Sequence, residues 1–182
     1  MFHRLSAAVA CALFVAGCQQ AGPGVDSTAG VTAPSSLPMK AVDVPFFGAI
    51  TGEAVFDFAT NPKACASGFT TITTGTGTAS HMGRTIWESQ HCLGPDDTLL
   101  DSELVLTAAN GDEVHVTYTG ACPALADVGD PFTCSGSSVI SGGTGRFVNA
   151  TGTLEWSATI IFEGFGDLSW PGRWEWKGTI RY

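Results

Sequence analysis

Apolar and polar side chains alternate most regularly near the C-terminal end of the chain. Leu154, Trp156, Ala158, Ile160 and Phe162 interleave with Thr153, Glu155, Ser157, Thr159, Ile161 and Glu163. Trp174, Trp176, Gly178, Ile180 and Tyr182 interleave with Arg173, Glu175, Lys177, Thr179 and Arg181. A period of two is that of a strand with one face turned to an apolar interior. The same period predicts a strand from about Phe46 to Phe58, where Ala54, Phe56 and Phe58 alternate with Glu53, Val55 and Asp57. Beyond a loop from Asn61 to Gly68, the segment Phe69 to Thr78 is rich in threonine, which suits a sheet but supplies little core. A turn through Ala79 to Gly83 leads into a third strand from Arg84 to Cys92, and a sixth is expected from Gly136 to Ser141.

The fourth and fifth strands can be placed in register from their side chains. Leu104, Leu106 and Ala108 share one face, and Val114, Val116 and Tyr118 share another. A two-residue turn at Asn110-Gly111 would pair position 106 with His115 and set the apolar faces on opposite sides of the sheet. A three-residue loop, Ala109-Asn110-Gly111, pairs Leu106 with Val114 and Leu104 with Val116 instead. Burial selects it, because a slip of one residue turns every side chain to the other face. Between the sixth strand and the strand at Leu154 lies Ile140 to Thr153, ISGGTGRFVNATGT, with glycines at 142, 143 and 145 and a single bulky Phe147. Glycine serves where φ turns positive or two backbones approach closely, so this segment is a corner. Phe147 is expected to plug a barrel end and Arg146 to meet a carboxylate. Eight strands in succession, tight turns and no helical pattern predict an all-β fold, an eight-stranded antiparallel up-and-down β-barrel whose last strand closes on the first.

The ends change the picture. Arg4, an apolar run from Leu5 to Val15 and the small residues Ala16 and Gly17 have the order of a secretory signal peptide, too short to span a bilayer as a helix. Val15-Ala16-Gly17-Cys18 resembles a bacterial lipobox, with valine where leucine is usual. That resemblance implies cleavage after residue 17, acylation of Cys18 and a partner in the membrane reached through a lipid anchor, which several acyl chains make stable. Gln19 favours the outer membrane, facing the periplasm or the exterior. Residues 18–44 read as the lipidated cysteine and a flexible tether, and 45–182 as the barrel domain.

Charge and cysteine usage agree with export. The chain carries 17 acidic against 8 basic side chains, a net charge of −9, with no basic cluster, which argues against nucleic acid as a partner. Of six cysteines, Cys11 leaves with the signal and Cys18 takes lipid. The other four allow three pairings, of which Cys122 with Cys134, closing the loop that holds Pro123 and Pro131, and Cys65 with Cys92, clasping the far ends of a hairpin, is favoured; an oxidising compartment and the lack of a Cys-x-x-Cys pair argue for disulfides over zinc.

The GGTGRF corner followed by ATG, together with TAANG at Thr107 to Gly111, resembles the allene oxide cyclase barrel-like family and, more distantly, the dirigent proteins, both calycin-like. The resemblance implies the eight-stranded barrel and, because a turn similar to His81-Met82-Gly83-Arg84 recurs there, touches the second turn as well. None of the family's catalytic residues maps onto this chain by motif.

Candidate chemistry is thin. Phe56, Phe58, Tyr118, Trp156, Phe162, Trp174 and Trp176 face inward by alternation, and a barrel of this size is either filled by such side chains, the favoured expectation, or holds one small ligand. His81, Arg84, Glu88 and His91 are the densest collection of proton-transferring or anion-binding groups. Glu88 would enter the barrel if Ile86 faced inward and would be solvated if Trp87 did, and aromatic bulk favours Trp87 inside. His81, His91 and His115 share no spacing that would hold a metal, and no glycine repeat has the frame of a phosphate loop, so neither metal nor cofactor is expected. Three functions remain, in this order: a non-enzymatic structural or interaction module of the envelope, a binder of a small hydrophobic or aromatic ligand, and an isomerase-like or dirigent-like enzyme.

Overall fold

A computed structural model describes residues 42–57, 65, 70–94, 96–123 and 127–182. The signal segment, Cys18, the tether up to residue 41, Phe58 and most of the loop expected at 61–68 lie outside the described residues. Eight strands follow in chain order: β1 (Val44–Asp57), β2 (Thr70–Ala79), β3 (Gly83–Leu93), β4 (Thr98–Ala108), β5 (Glu113–Ala121), β6 (Pro131–Gly143), β7 (Thr151–Ile161) and β8 (Ser169–Arg181). Each pairs antiparallel with the next, and β8 pairs with β1 from Val44↔Ile180 to Val55↔Ser169, so the sheet closes into an up-and-down barrel with no free edge. Exposed Arg181 and Asp43 join across the closure with Nη2–Oδ2 at 2.8 Å.

The β4–β5 register is that expected from burial, Leu106↔Val114 and Leu104↔Val116. The loop has three residues: Ala108 N–H donates to Asp112 O at 2.8 Å, and Gly111 takes a φ of 88° that a side chain would resist. The glycine corner contains a β-bulge. β6 has one residue more than β5 between Val116↔Ile140 and His115↔Gly142, after which a 3-10 turn, Gly145–Phe147, turns Phe147 inward to full burial. Arg146 Nε lies 3.2 Å from Asp112 Oδ2, and its guanidinium stands 5.0 Å above the Phe147 ring.

Two strand starts differ from expectation. β6 begins at Pro131, five residues earlier, because Phe132 and Cys134 alternate inward and extend the ladder to Pro131↔Ile161. β8 begins at Ser169 and brings in Trp170, whose partner across the ladder is Ala54. β2 supplies little apolar core, as expected, with Ala79 its one buried apolar residue, but it buries the polar Thr70, Thr71 and Thr73.

The interior has two halves. The half at the β2–β3, β4–β5 and β6–β7 connections is solid, with Phe46, Ile50, Leu106, Val114, Ile140, Phe147 and Ile180 fully buried together. At the other end the Cys122–Cys134 and Cys65–Cys92 disulfides are both formed. The first links the end of β5 to β6 one step beyond the Ala121↔Ser135 pair, and the second fastens the segment before β2 to the end of β3.

Candidate functional site

At the disulfide-bearing end the barrel is hollow. The expectation of a filled interior is therefore corrected: a cavity of about 550 Å³ occupies this half, within the range of about 300–1,000 Å³ typical of small-molecule sites. Its origin lies in which side chains become neighbours. Ala54, Thr73 and Ser89 stand side by side on β1, β2 and β3, and Ala158 and Cys134 are paired on β7 and β6. Five small side chains at one depth leave space that Trp170, Trp174 and Trp156 border without filling.

The bulkiest side chains of the wall are aromatic. All five tryptophans of the chain line the cavity, with Phe56, Phe132 and Tyr118. Trp87 sits edge-on to Trp174 and Trp176, centroids 4.7 and 5.1 Å away. Trp156 is seated by a hydrogen bond from Nε1 to Thr119 O at 3.0 Å, beside Gly120, where a Cβ would strike the indole. Trp170 donates from Nε1 to Asp167 O at 2.7 Å and lies against Phe56 at a tilt of 51°, centroids 4.2 Å apart. Cavity-lining Asp97, Phe165 and Leu168 are exposed, so the cavity reaches the surface at this end.

Of the side chains expected inside, Phe56, Tyr118, Trp156, Trp174 and Trp176 line the cavity. Phe162 does not: it lies just past β7, buried against Phe165 and Trp170 at 5.3 and 4.9 Å, and supports the rim from behind. Phe58 is outside the described residues. Trp87 faces inward as its bulk led one to expect, whereas Trp170 was the signal most easily missed, because Pro171 and Gly172 interrupt the apolar alternation after it.

The polar candidates do not form one site. Trp87 takes the inward face of β3, which leaves Arg84 and Glu88 exposed on the outside of the barrel. His81 is exposed in the β2–β3 turn with a φ of 65°, and its Nε2 meets Pro45 O at 2.9 Å, a contact that ties the turn to β1. His91 alone of the four reaches the cavity. Two residues beyond Ser89 on the same face, it places Nδ1 2.8 Å from the Tyr118 hydroxyl, and among the described residues its Nε2 has no hydrogen-bond partner. Thr71, paired with His91 across β2–β3, has a buried hydroxyl without a partner, as do Ser89 Oγ and Trp87 Nε1.

Burial sets the protonation of the pair. It pushes the His91 pKa down to about 4 and that of Tyr118 up to about 12, a rise tempered by the nearby hydroxyls of Ser89 and Ser102. Both are neutral at physiological pH. The consequence for stability has a definite sign: between the free-histidine value of about 6.5 and the folded value of about 4 the unfolded chain binds more protons, so stability falls as pH drops through that window and levels off below it. The whole window corresponds to about 3 kcal/mol. Urea unfolding of wild type and His91→Phe at pH 7 and near pH 4 measures it. The wild type is expected to lose about 3 kcal/mol more than the variant, and equal losses would show that His91 titrates freely.

Comparison with protein-family models, with curated proteins and with solved structures finds no match for this chain.

Proposed function

We propose that the chain is an envelope lipoprotein whose barrel binds a small, mostly apolar, ring-containing molecule in its hollow half. The observation that carries this reading is the aromatic cavity itself. A barrel serving only as a structural or interaction module has no need of about 550 Å³ of empty interior, and packing such a space would stabilise it. Export supports the same reading, since the disulfides that brace the cavity end persist in an oxidising compartment. The lipobox-like Val15-Ala16-Gly17-Cys18 supports attachment to a membrane, where apolar molecules concentrate. An isomerase-like or dirigent-like activity is the second reading; the neutral His91–Tyr118 pair on the cavity wall favours it.

Native mass spectrometry of the purified chain, followed by solvent extraction, tests the first reading. A small molecule is expected to co-purify at near-stoichiometric level and to leave when Ala158→Trp fills the cavity. If the chain purifies empty and no apolar compound raises its thermal midpoint, the binding reading fails. Recovery of the bound molecule chemically unchanged after prolonged incubation would count against the catalytic reading. The same spectra report the acyl mass at Cys18.

A further inference from the structure

The cavity wall differs from one side to the other. Tryptophan and phenylalanine recur on β6, β7, β8 and β1 with few polar groups between them, whereas β2 and β3 set Thr71, Thr73, Ser89 and His91 beside Trp87 and Leu93. His91 Nε2 has no protein partner among the described residues, and the Thr71 and Ser89 hydroxyls beside it have none either. Leaving a buried polar group unpaired costs about 1–3 kcal/mol, so the Thr71 and Ser89 hydroxyls, together with the cavity-lining imidazole beside them, favour a hydrogen-bonding partner at this place. No Lys or Arg is among the described residues that line the cavity, Asp97 stands at its rim, and the chain as a whole is acidic.

From this arrangement we infer that the ligand is an uncharged alcohol: an apolar, ring-sized body against the tryptophans, with a hydroxyl placed at His91 Nε2, Thr71 and Ser89. The inference deepens the binding reading and rests on it. A hydroxyl is singled out by the His91–Tyr118 contact. If the phenol donates to Nδ1, Nε2 carries the ring proton and needs an acceptor; if Nδ1–H donates to the phenol oxygen, Nε2 needs a donor. A hydroxyl serves either tautomer and matches Thr71 and Ser89, which both donate and accept. Rotation about a single Cα–Cβ bond re-aims either of those side chains toward a bound oxygen. A carboxylate is disfavoured because its charge would enter an apolar space with no cation to meet it.

A matched bicyclic pair tests this: 2-decalol and decahydro-2-naphthoate, titrated into the purified chain by calorimetry and by tryptophan fluorescence, to which every indole at the cavity contributes. At neutral pH the alcohol is expected to bind roughly tenfold or more tightly than the carboxylate. Lowering the pH toward the carboxyl's own pKa, while His91 stays neutral, should narrow the gap as the acid loses its charge. His91→Phe, close in shape, and Thr71→Val, nearly isosteric, are each expected to weaken the alcohol by about 2- to 12-fold and leave the carboxylate unchanged, the range of a single hydrogen bond. Equal or tighter binding of the carboxylate, or an alcohol affinity untouched by both variants, overturns the proposal while the binding reading stands. Failure of both probes to bind or to change the fluorescence at their solubility limits removes the binding reading along with it.

Discussion

Reduction and alkylation of the four barrel cysteines is expected to take about 6 kcal/mol from the stability of the fold. In the chain-entropy model a bridge acts on the unfolded state, forbidding conformations in which its ends are far apart, and its effect grows with the length of chain it closes. Here the separations are 12 residues for Cys122–Cys134 and 27 for Cys65–Cys92, each worth about 3 kcal/mol on that model. Their sum compares with the whole net stability of about 5–15 kcal/mol usual for a domain, so the reduced chain should be marginally folded or unfolded at room temperature. The cavity sharpens the expectation, because a half-empty interior gives up part of the burial that a filled barrel would have. Chemical denaturation of oxidised and reduced chain measures the difference. Cys122→Ser with Cys134→Ser should show about half of it. An unchanged denaturation midpoint after full reduction would mean that the strand ladders alone determine stability.

The second large effect is expected at the opposite end. Phe147→Ala should destabilise the barrel by about 3–5 kcal/mol, the range for removing a buried phenylalanine from a packed core. The ring is fully buried, lies 5.0 Å from Tyr182, and occupies the position that the bulge and the 3-10 turn after β6 create for it. Collapse of neighbours into the space is hindered by β5 and β6, which border the turn and whose backbones are fixed in the closed ladder. Val148→Ala, one residue on and exposed, is the control and should change stability by less than about 0.5 kcal/mol. A loss of under about 1 kcal/mol for Phe147→Ala would show that the solid half is not organised around this ring. The cavity should survive the substitution, since it lies at the other end. Ligand binding by the folded fraction is therefore expected to be unchanged.

Much of the fold was legible in the side-chain pattern. Leu104, Leu106, Val114 and Val116 dictated a three-residue loop because only that loop puts all four on one side. Trp87 excluded Glu88 from the interior for the same kind of reason: successive residues of a strand face opposite ways, and the larger apolar group gains more by burial. The start of β6 was harder. Its first residues follow a loop rich in proline, glycine and aspartate, and the strand is held there by Phe132 and Cys134 meeting partners from β7 and β5. The polar group at His91 was also obscured, because the sequence neighbours that made it look like a site, His81, Arg84 and Glu88, lie on the outer face or in a turn.

Alternation along the chain determined by itself that there are strands and which face of each is buried, because these follow from periods within short segments; the two bridges were favoured by cysteine spacing and export and were fixed by the structure. Whether the interior is full or hollow was decided only by the closed barrel. Ala54, Thr73 and Ser89 are far apart in the chain, and they leave a space only because the ladder sets them side by side where the bordering tryptophans do not fill it. Volume at one depth is a sum over eight strands, and no single strand carries that sum.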